Sequence, residues 1–351
     1  MKVNIFLPVA INTLLFLSHL YPQHITNNDR INLKEIFNRT IKGFEEINKN
    51  LNIQSIKITS FNKADSIKPA LIFDPNNSPK DFYISKINNM LISNDTLFLV
   101  GINENRIFLL DLDGRPMGFI GRYGAGPKEF INPTHIMKNK NYYIVNDFGN
   151  SRIQILNHKF KYIKSLPISI SPSIKKFSVN DQYLFVNTNN TVPHIIDAFS
   201  LENLSFKKYK VFPEKFGYFK DLGKYNQVYE MRVDLSNQYL VVSNSAIPFF
   251  YVFNSQYKPL YSVNFALAEY DKYLQQIEPA FVKFLNDFLI AGNKLITFYQ
   301  TRIYIFDLEK NNIHKIYALP KGLFMNCFAL KGSTLFIGTH YGKIYKGQIS
   351  I

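Results

Sequence analysis

The chain has a single cysteine, Cys327, so no internal disulfide can form and a packed core must hold the fold alone. Roughly 300 residues beyond the N-terminal segment are enough to build such a core. Blocks of charge are missing as well. Lys and Arg number 41 against 26 Asp and Glu, a net charge of +15, but no run of five or six like charges occurs. That scatter argues against nucleic-acid binding, while a basic surface suits acidic glycans or an anionic membrane. Catalytic signatures are also absent. There is no Gly-x-Ser-x-Gly elbow, and His135, His158, His194, His314 and His340 form neither a His-x-His nor a His-Glu-x-x-His pair. Cys327 sits in the apolar run 323–330, where a buried, inert thiol is expected. We therefore expect no catalytic residues, no metal and no cofactor.

The N-terminus does carry a signal. Residues 1–23 contain one Lys followed by a mostly apolar run from Val3 to Leu20, interrupted by Asn4, Asn12, Thr13, Ser18 and His19. This is the shape of a signal peptide, with an uncleaved anchor as the alternative. No Cys follows the run, so a lipoprotein is not expected, and the chain reads as exported: periplasmic, cell-surface or secreted. Residues 24–50 read as a linker with a short amphipathic helix, its apolar side formed by Ile36, Phe37, Ile41 and Phe44. It would cap the domain or space it from a membrane. Residues 51–351 are assigned to one domain.

Within that domain one pattern recurs six times. A short apolar strand appears at 96–100, 141–145, 182–186, 238–242, 293–297 and 333–337. A second strand begins five to eight positions after each, at Arg106–Asp111, Arg152–Asn157, His194–Asp197, Phe249–Asn254, Arg302–Asp307 and Lys343–Tyr345. Val100 and Ile337 are 237 residues apart over five steps, a mean of about 47, which is the size of a four-stranded propeller blade. β-branched and aromatic residues fill the strands, and Asn, Asp and Gly fill the turns. The expected fold is all-β: a six-bladed propeller of four-stranded antiparallel blades. The last repeat ends after its third strand, so the N- and C-terminal segments should pair to close the ring, with Leu51–Thr59 supplying the missing strand.

At 145–156, Val-Asn-Asp-Phe-Gly-Asn-Ser-Arg-Ile-Gln-Ile-Leu resembles the NHL repeat through Asp147, Asn150 and Arg152. Gly121, Gly124, Gly126, Pro127 and Phe130 resemble the Gly-x-Gly-x-Gly-Pro-x-x-Phe link between NHL-type blades, allowing for wider spacing at Gly121. Overall the chain resembles the exported six-bladed propellers of Bacteroidota, many without an assigned activity, and this implies a fold more than a function. The glycines do not make a phosphate loop, because the Gly-x-x-x-x-Gly-Lys-Ser/Thr spacing is missing. Arg106, Arg152 and Arg302 recur at one position of the repeat, which favours packing or pairing between blades over chemistry.

Two long insertions separate repeats. Residues 202–234 contain Phe216, Tyr218, Phe219, Tyr225 and Tyr229 among Lys and Gly, and residues 265–286 contain Tyr270 on a stretch of helical spacing. Exposed aromatics beside cations can stack on sugars or grip a protein. The expectation is a monomeric binding or scaffold propeller that takes a glycan, peptide or protein partner on its insertion-bearing face, without catalysis and with membrane proximity as a further option. The alternatives are that these rings pack the insertions onto the blades, and that the protein is a lyase or hydrolase with its site in the central channel.

Overall fold

The computed structural model describes residues 45, 48–49, 52–58, 63–167, 177–186, 197–204, 208–210, 231–236, 238–244, 249–265, 287–299 and 301–351. The leader and the amphipathic stretch before residue 45 lie outside them.

Six antiparallel sheets succeed one another along the chain. Blade one is Ile87–Ser93, Thr96–Gly101, Arg106–Asp111 and Pro116–Ile120. Blade two is Pro133–Lys138, Tyr143–Asp147, Arg152–Leu156 and Tyr162–Leu166. Blade three is Ser178–Val179, Tyr183–Val186, Asp197–Ser200 and Lys208–Lys210. The described part of its third strand is Asp197–Ser200, which shares Asp197 with the stretch 194–197 read from the sequence; 194–196 lie outside the described residues. The pairing of Tyr183 with Ser200 and Val186 with Asp197 fixes that register.

Blade four is Met231–Leu235, Tyr239–Asn244, Phe249–Asn254 and Pro259–Phe265, and blade five is Phe288–Ala291, Lys294–Tyr299, Arg302–Asp307 and Asn312–Ala318. Blade six combines Met325–Lys331, Thr334–Thr339 and Ile344–Gln348 with Ala70–Phe73 from the other end of the chain.

The strand that completes blade six is thus Ala70–Phe73, not Leu51–Thr59. Within the latter stretch, Gln54–Ile58 runs parallel to Pro259–Phe265 as a fifth strand on the outer edge of blade four. Asp65–Ser66 does the same on the edge of blade five. The N-terminal segment is a strap across three neighbouring blades, anchored where the buried Asn48 donates its side-chain amide to Ser262 Oγ at 2.8 Å. Ile56 and Ile58 pack on the core between blades four and five, Ile67 on that between five and six, and Ile72 beside blades six and one.

The middle strands explain why the repeat is so apolar. Successive side chains of a strand point to opposite faces, and here both faces are covered by neighbouring blades. Leu97 and Leu99 join the cluster shared with blade six, whereas Phe98 and Val100 join the one shared with blade two. Likewise Ile144 faces blade three while Tyr143 and Val145 face blade one.

The first strands of successive blades pack side by side around the axis, and three of them carry a bulge at the same place: between Ile87 and Asn89, Pro133 and His135, and Met325 and Cys327. Asn88 and Asn326 sit at the bulges and tie each first strand to the next, donating to Thr134 O (2.8 Å) and to Ile87 O.

Candidate functional site

Antiparallel alternation puts the described crossovers, 74–86, 121–132 and 319–324, on a single face, together with the described turns joining second and third strands. The crossover 121–132 shows how that face is built. Gly126 to Glu129 form a turn closed by Glu129 N donating to Gly126 O at 3.1 Å, with Pro127 second and Lys128 third at φ +60°. Arg122–Tyr123 and Glu129–Phe130 pair in parallel at its base, and Phe130 is fully buried between blades one and two. Gly121 has φ +88°, and a Cβ there would run into the Phe130 ring.

Below this crossover lies a polar clamp. Asp147 is buried; its Oδ2 accepts from Arg152 Nε (2.7 Å), Asn150 Nδ2 (2.9 Å) and Gln154 Nε2 (3.0 Å), and its Oδ1 accepts from Ile131 N (2.8 Å). Arg152 Nη2 also donates to Gly126 O and Glu129 O, and Asn150 Nδ2 to Gly124 O. The amides a phosphate would need are already engaged: Gly126 N by Glu129 Oε2 at 2.8 Å and Lys128 N by Gln154 Oε1 at 3.0 Å. The Gly126 N–H and the Arg122 guanidinium hold the Glu129 carboxyl below its ordinary range.

In three blades the basic residue at the start of the third strand meets three different partners. Arg152 grips the crossover, Arg106 stacks on the Phe119 ring at 4.2 Å, and Lys343, just before its strand, pairs with Asp74 in the crossover from blade six to blade one at 2.9 Å. That contact holds the Asp74 carboxyl below its usual range. Arg302 opens the equivalent strand of blade five.

Phe216, Tyr218, Phe219, Tyr225, Tyr229 and Tyr270 all lie outside the described residues. The described part of the same face carries rings that sequence reasoning missed: Tyr83, Tyr123, Phe324 and Tyr341, with relative exposures of 51%, 69%, 63% and 73%. They follow one another around the disc, Phe324 between blades five and six, Tyr341 in blade six, Tyr83 between six and one, and Tyr123 between one and two.

Their mounting is rigid. Tyr83 stands between buried Phe82 and Ile84, and Phe324 between buried Leu323 and Met325. Phe82 in turn packs edge-on against Phe108 at 5.5 Å. Tyr341 is raised on a turn whose Thr339 Oγ accepts from the Lys343 and Tyr341 amides. Beneath it Gly342, at φ +71°, lies so close to Ile84 O that no side chain would fit. For Tyr83 and Phe324 the sequence signal is an aromatic flanked by apolar residues in a segment that joins two repeats; Tyr123 and Tyr341, each followed by a glycine, lack it.

Elsewhere, Cys327 is buried and unoxidised, and His135 is buried 6.1 Å from the Phe177 ring. Among the described residues no group of three His, Cys, Asp or Glu side chains is placed to hold a metal ion. A cleft of about 660 Å³ opens at the outer rim, where the strap meets the C-terminus. Four of its lining residues are bonded in pairs, Lys315 to Asp65 at 3.1 Å and Ser350 N to Tyr317 OH at 2.7 Å.

Residues 41–267, well over half the chain, match the profile of a family described as 6-bladed beta-propeller. The chain belongs to that family. Solved structures agree with this six-bladed family in fold. A protein described as exported, from Bacteroides fragilis NCTC 9343, superposes with a TM-score of 0.54 at 11% identity, over 85% of this chain and 99% of that one. Virginiamycin B lyase from Staphylococcus aureus superposes with a TM-score of 0.50 at 12% identity, over 81% of this chain and 99% of that one. No curated protein matches this family member in sequence.

Proposed function

We propose that this propeller is an exported binding protein that captures a glycan, peptide or protein partner on its crossover face without chemistry of its own. Export is supported by the leader-like segment at 1–23 and by the exported description of the Bacteroides fragilis protein of similar fold. The observation that carries the binding reading is the set of four exposed rings on one face, each held by buried or bonded neighbours. Isolated exposed apolar residues are ordinary; the gathering of four exposed rings on one face is what favours an interaction surface. Because their backbone is already fixed, little conformational freedom is lost when a partner covers them.

The test is capture of partners from an extracytoplasmic extract by the mature chain and by a Tyr83→Ala, Tyr123→Ala, Phe324→Ala triple variant. Loss of capture with an unchanged melting temperature supports the reading. Equal capture by the two proteins sinks it.

A further inference from the structure

The three described crossovers repeat more than a ring. Each presents an exposed aromatic together with an exposed lysine: Tyr83 with Lys80, Tyr123 with Lys128, and Phe324 with Lys321. Among the described residues these three lysines make no ion pair, unlike Lys343, held by Asp74, or Arg122, held by Glu129. A ring and an uncommitted cation therefore recur once per blade along an arc of the disc.

From this we infer that the partner is an acidic polysaccharide laid across successive crossovers, each ring stacking on the C–H face of a sugar and each lysine meeting a carboxylate or sulfate. The inference rests on the binding reading above and narrows it. Repetition is the first argument: a ring and a lysine in each of three crossovers, though not at the same spacing, suit a ligand whose own chemistry repeats, which a folded protein surface lacks. Charge complementarity is the second, since a chain of net charge +15 draws a polyanion toward it at long range, and the free lysines supply the local contacts. The third is accessibility: the rings are exposed on the crossovers, whereas the described cleft is lined by the strap and the C-terminus. Rings and lysines could also grip single-stranded nucleic acid, but the export proposed above favours acidic glycans, the common polyanions outside the cytoplasm.

The experiment is affinity electrophoresis of the mature protein through gels holding polygalacturonate, alginate, hyaluronan or chondroitin sulfate, with neutral dextran and a single-stranded oligonucleotide as comparisons. Retardation by at least one acidic glycan but not by dextran is expected, weakening about tenfold between roughly 50 and 500 mM salt. Two separate double variants, Tyr83→Ala with Tyr123→Ala and Lys80→Ser with Lys128→Ser, should each weaken it about tenfold while melting like the parent.

Retardation insensitive to the ring variant would mean unspecific charge attraction and would overturn the inference, as would equal affinity for dextran or a stronger grip on the oligonucleotide. If no acidic glycan is held but the triple ring variant still loses a protein or neutral-glycan partner, this inference falls and the binding face stands. If neither is seen, both fall.

Discussion

Arg152 Nε lies 2.7 Å from Asp147 Oδ2 across the turn joining two strands of blade two, and the same guanidinium reaches the Gly126 and Glu129 carbonyls of the crossover above. The pair is therefore a bracket between a blade and the link that precedes it. Removing Asp147 leaves Arg152 and Gln154 without their shared acceptor in a buried place. Asp147→Ala is expected to destabilise the protein by about 3 kcal/mol or more, read as a lower urea midpoint. Arg152→Lys keeps the charge but not the fork, and should recover only part of that loss.

Gly121→Ala tests the same crossover from the backbone. A left-handed residue whose Cβ would strike Phe130 has no low-energy solution, so a loss of about 1–3 kcal/mol is expected in thermal unfolding. Phe130→Leu in the Gly121→Ala background should relieve part of it, because the smaller side chain gives way. No relief would mean that backbone strain alone sets the cost.

Acid should act through Asp307. Burial works against its charge, but Lys294 Nζ at 2.7 Å and the amides of Lys310 and Glu309 outweigh it and hold the carboxyl below its ordinary 3.8. A carboxyl lowered in the folded state stabilises the fold above its unfolded pKa, and that stabilisation is lost as pH falls through the folded value. The stability gap between the parent and Asp307→Asn should thus be full near pH 6 and shrink from about pH 4 downward. A gap that stays constant to low pH would contradict the assignment.

The strap can be tested at its first strand. Ile56→Ser with Ile58→Ser removes the side chains that dock Gln54–Ile58 on blade four, and about 1–3 kcal/mol of stability should go with them. Hydrogen exchange should speed up at the paired amides of 261–265 and stay unchanged in blade two.

What could be read from the sequence follows burial. Second and third strands are covered on both faces, so their apolar runs stand out, as at Thr96–Gly101 and Arg302–Asp307. In blade three the described strand, Asp-Ala-Phe-Ser, is less apolar than its counterparts and gives a weaker signal. Edge strands carry less information. The alternation of Gln54–Ile58 says that one face is covered but not by which blade, so the strap was placed on blade six when it begins on blade four. The rings were hidden for the opposite reason: Phe324 lies in an apolar run whose other members are mostly core, and only its neighbours' burial shows that it points outward. Lys80, Lys128 and Lys321 look like any other surface lysine until the fold shows that each shares a crossover with an exposed ring.

The strap also sets an order of events. Asn48 and Ser262 are 214 residues apart, and Asn326 and Ile87 are separated by 239. The strands made first at the ribosome thus have no partners until nearly the whole chain exists, and contacts this distant in sequence form slowly. Blades one and two can assemble as soon as they emerge, but the ring stays unlatched until its C-terminal residues arrive.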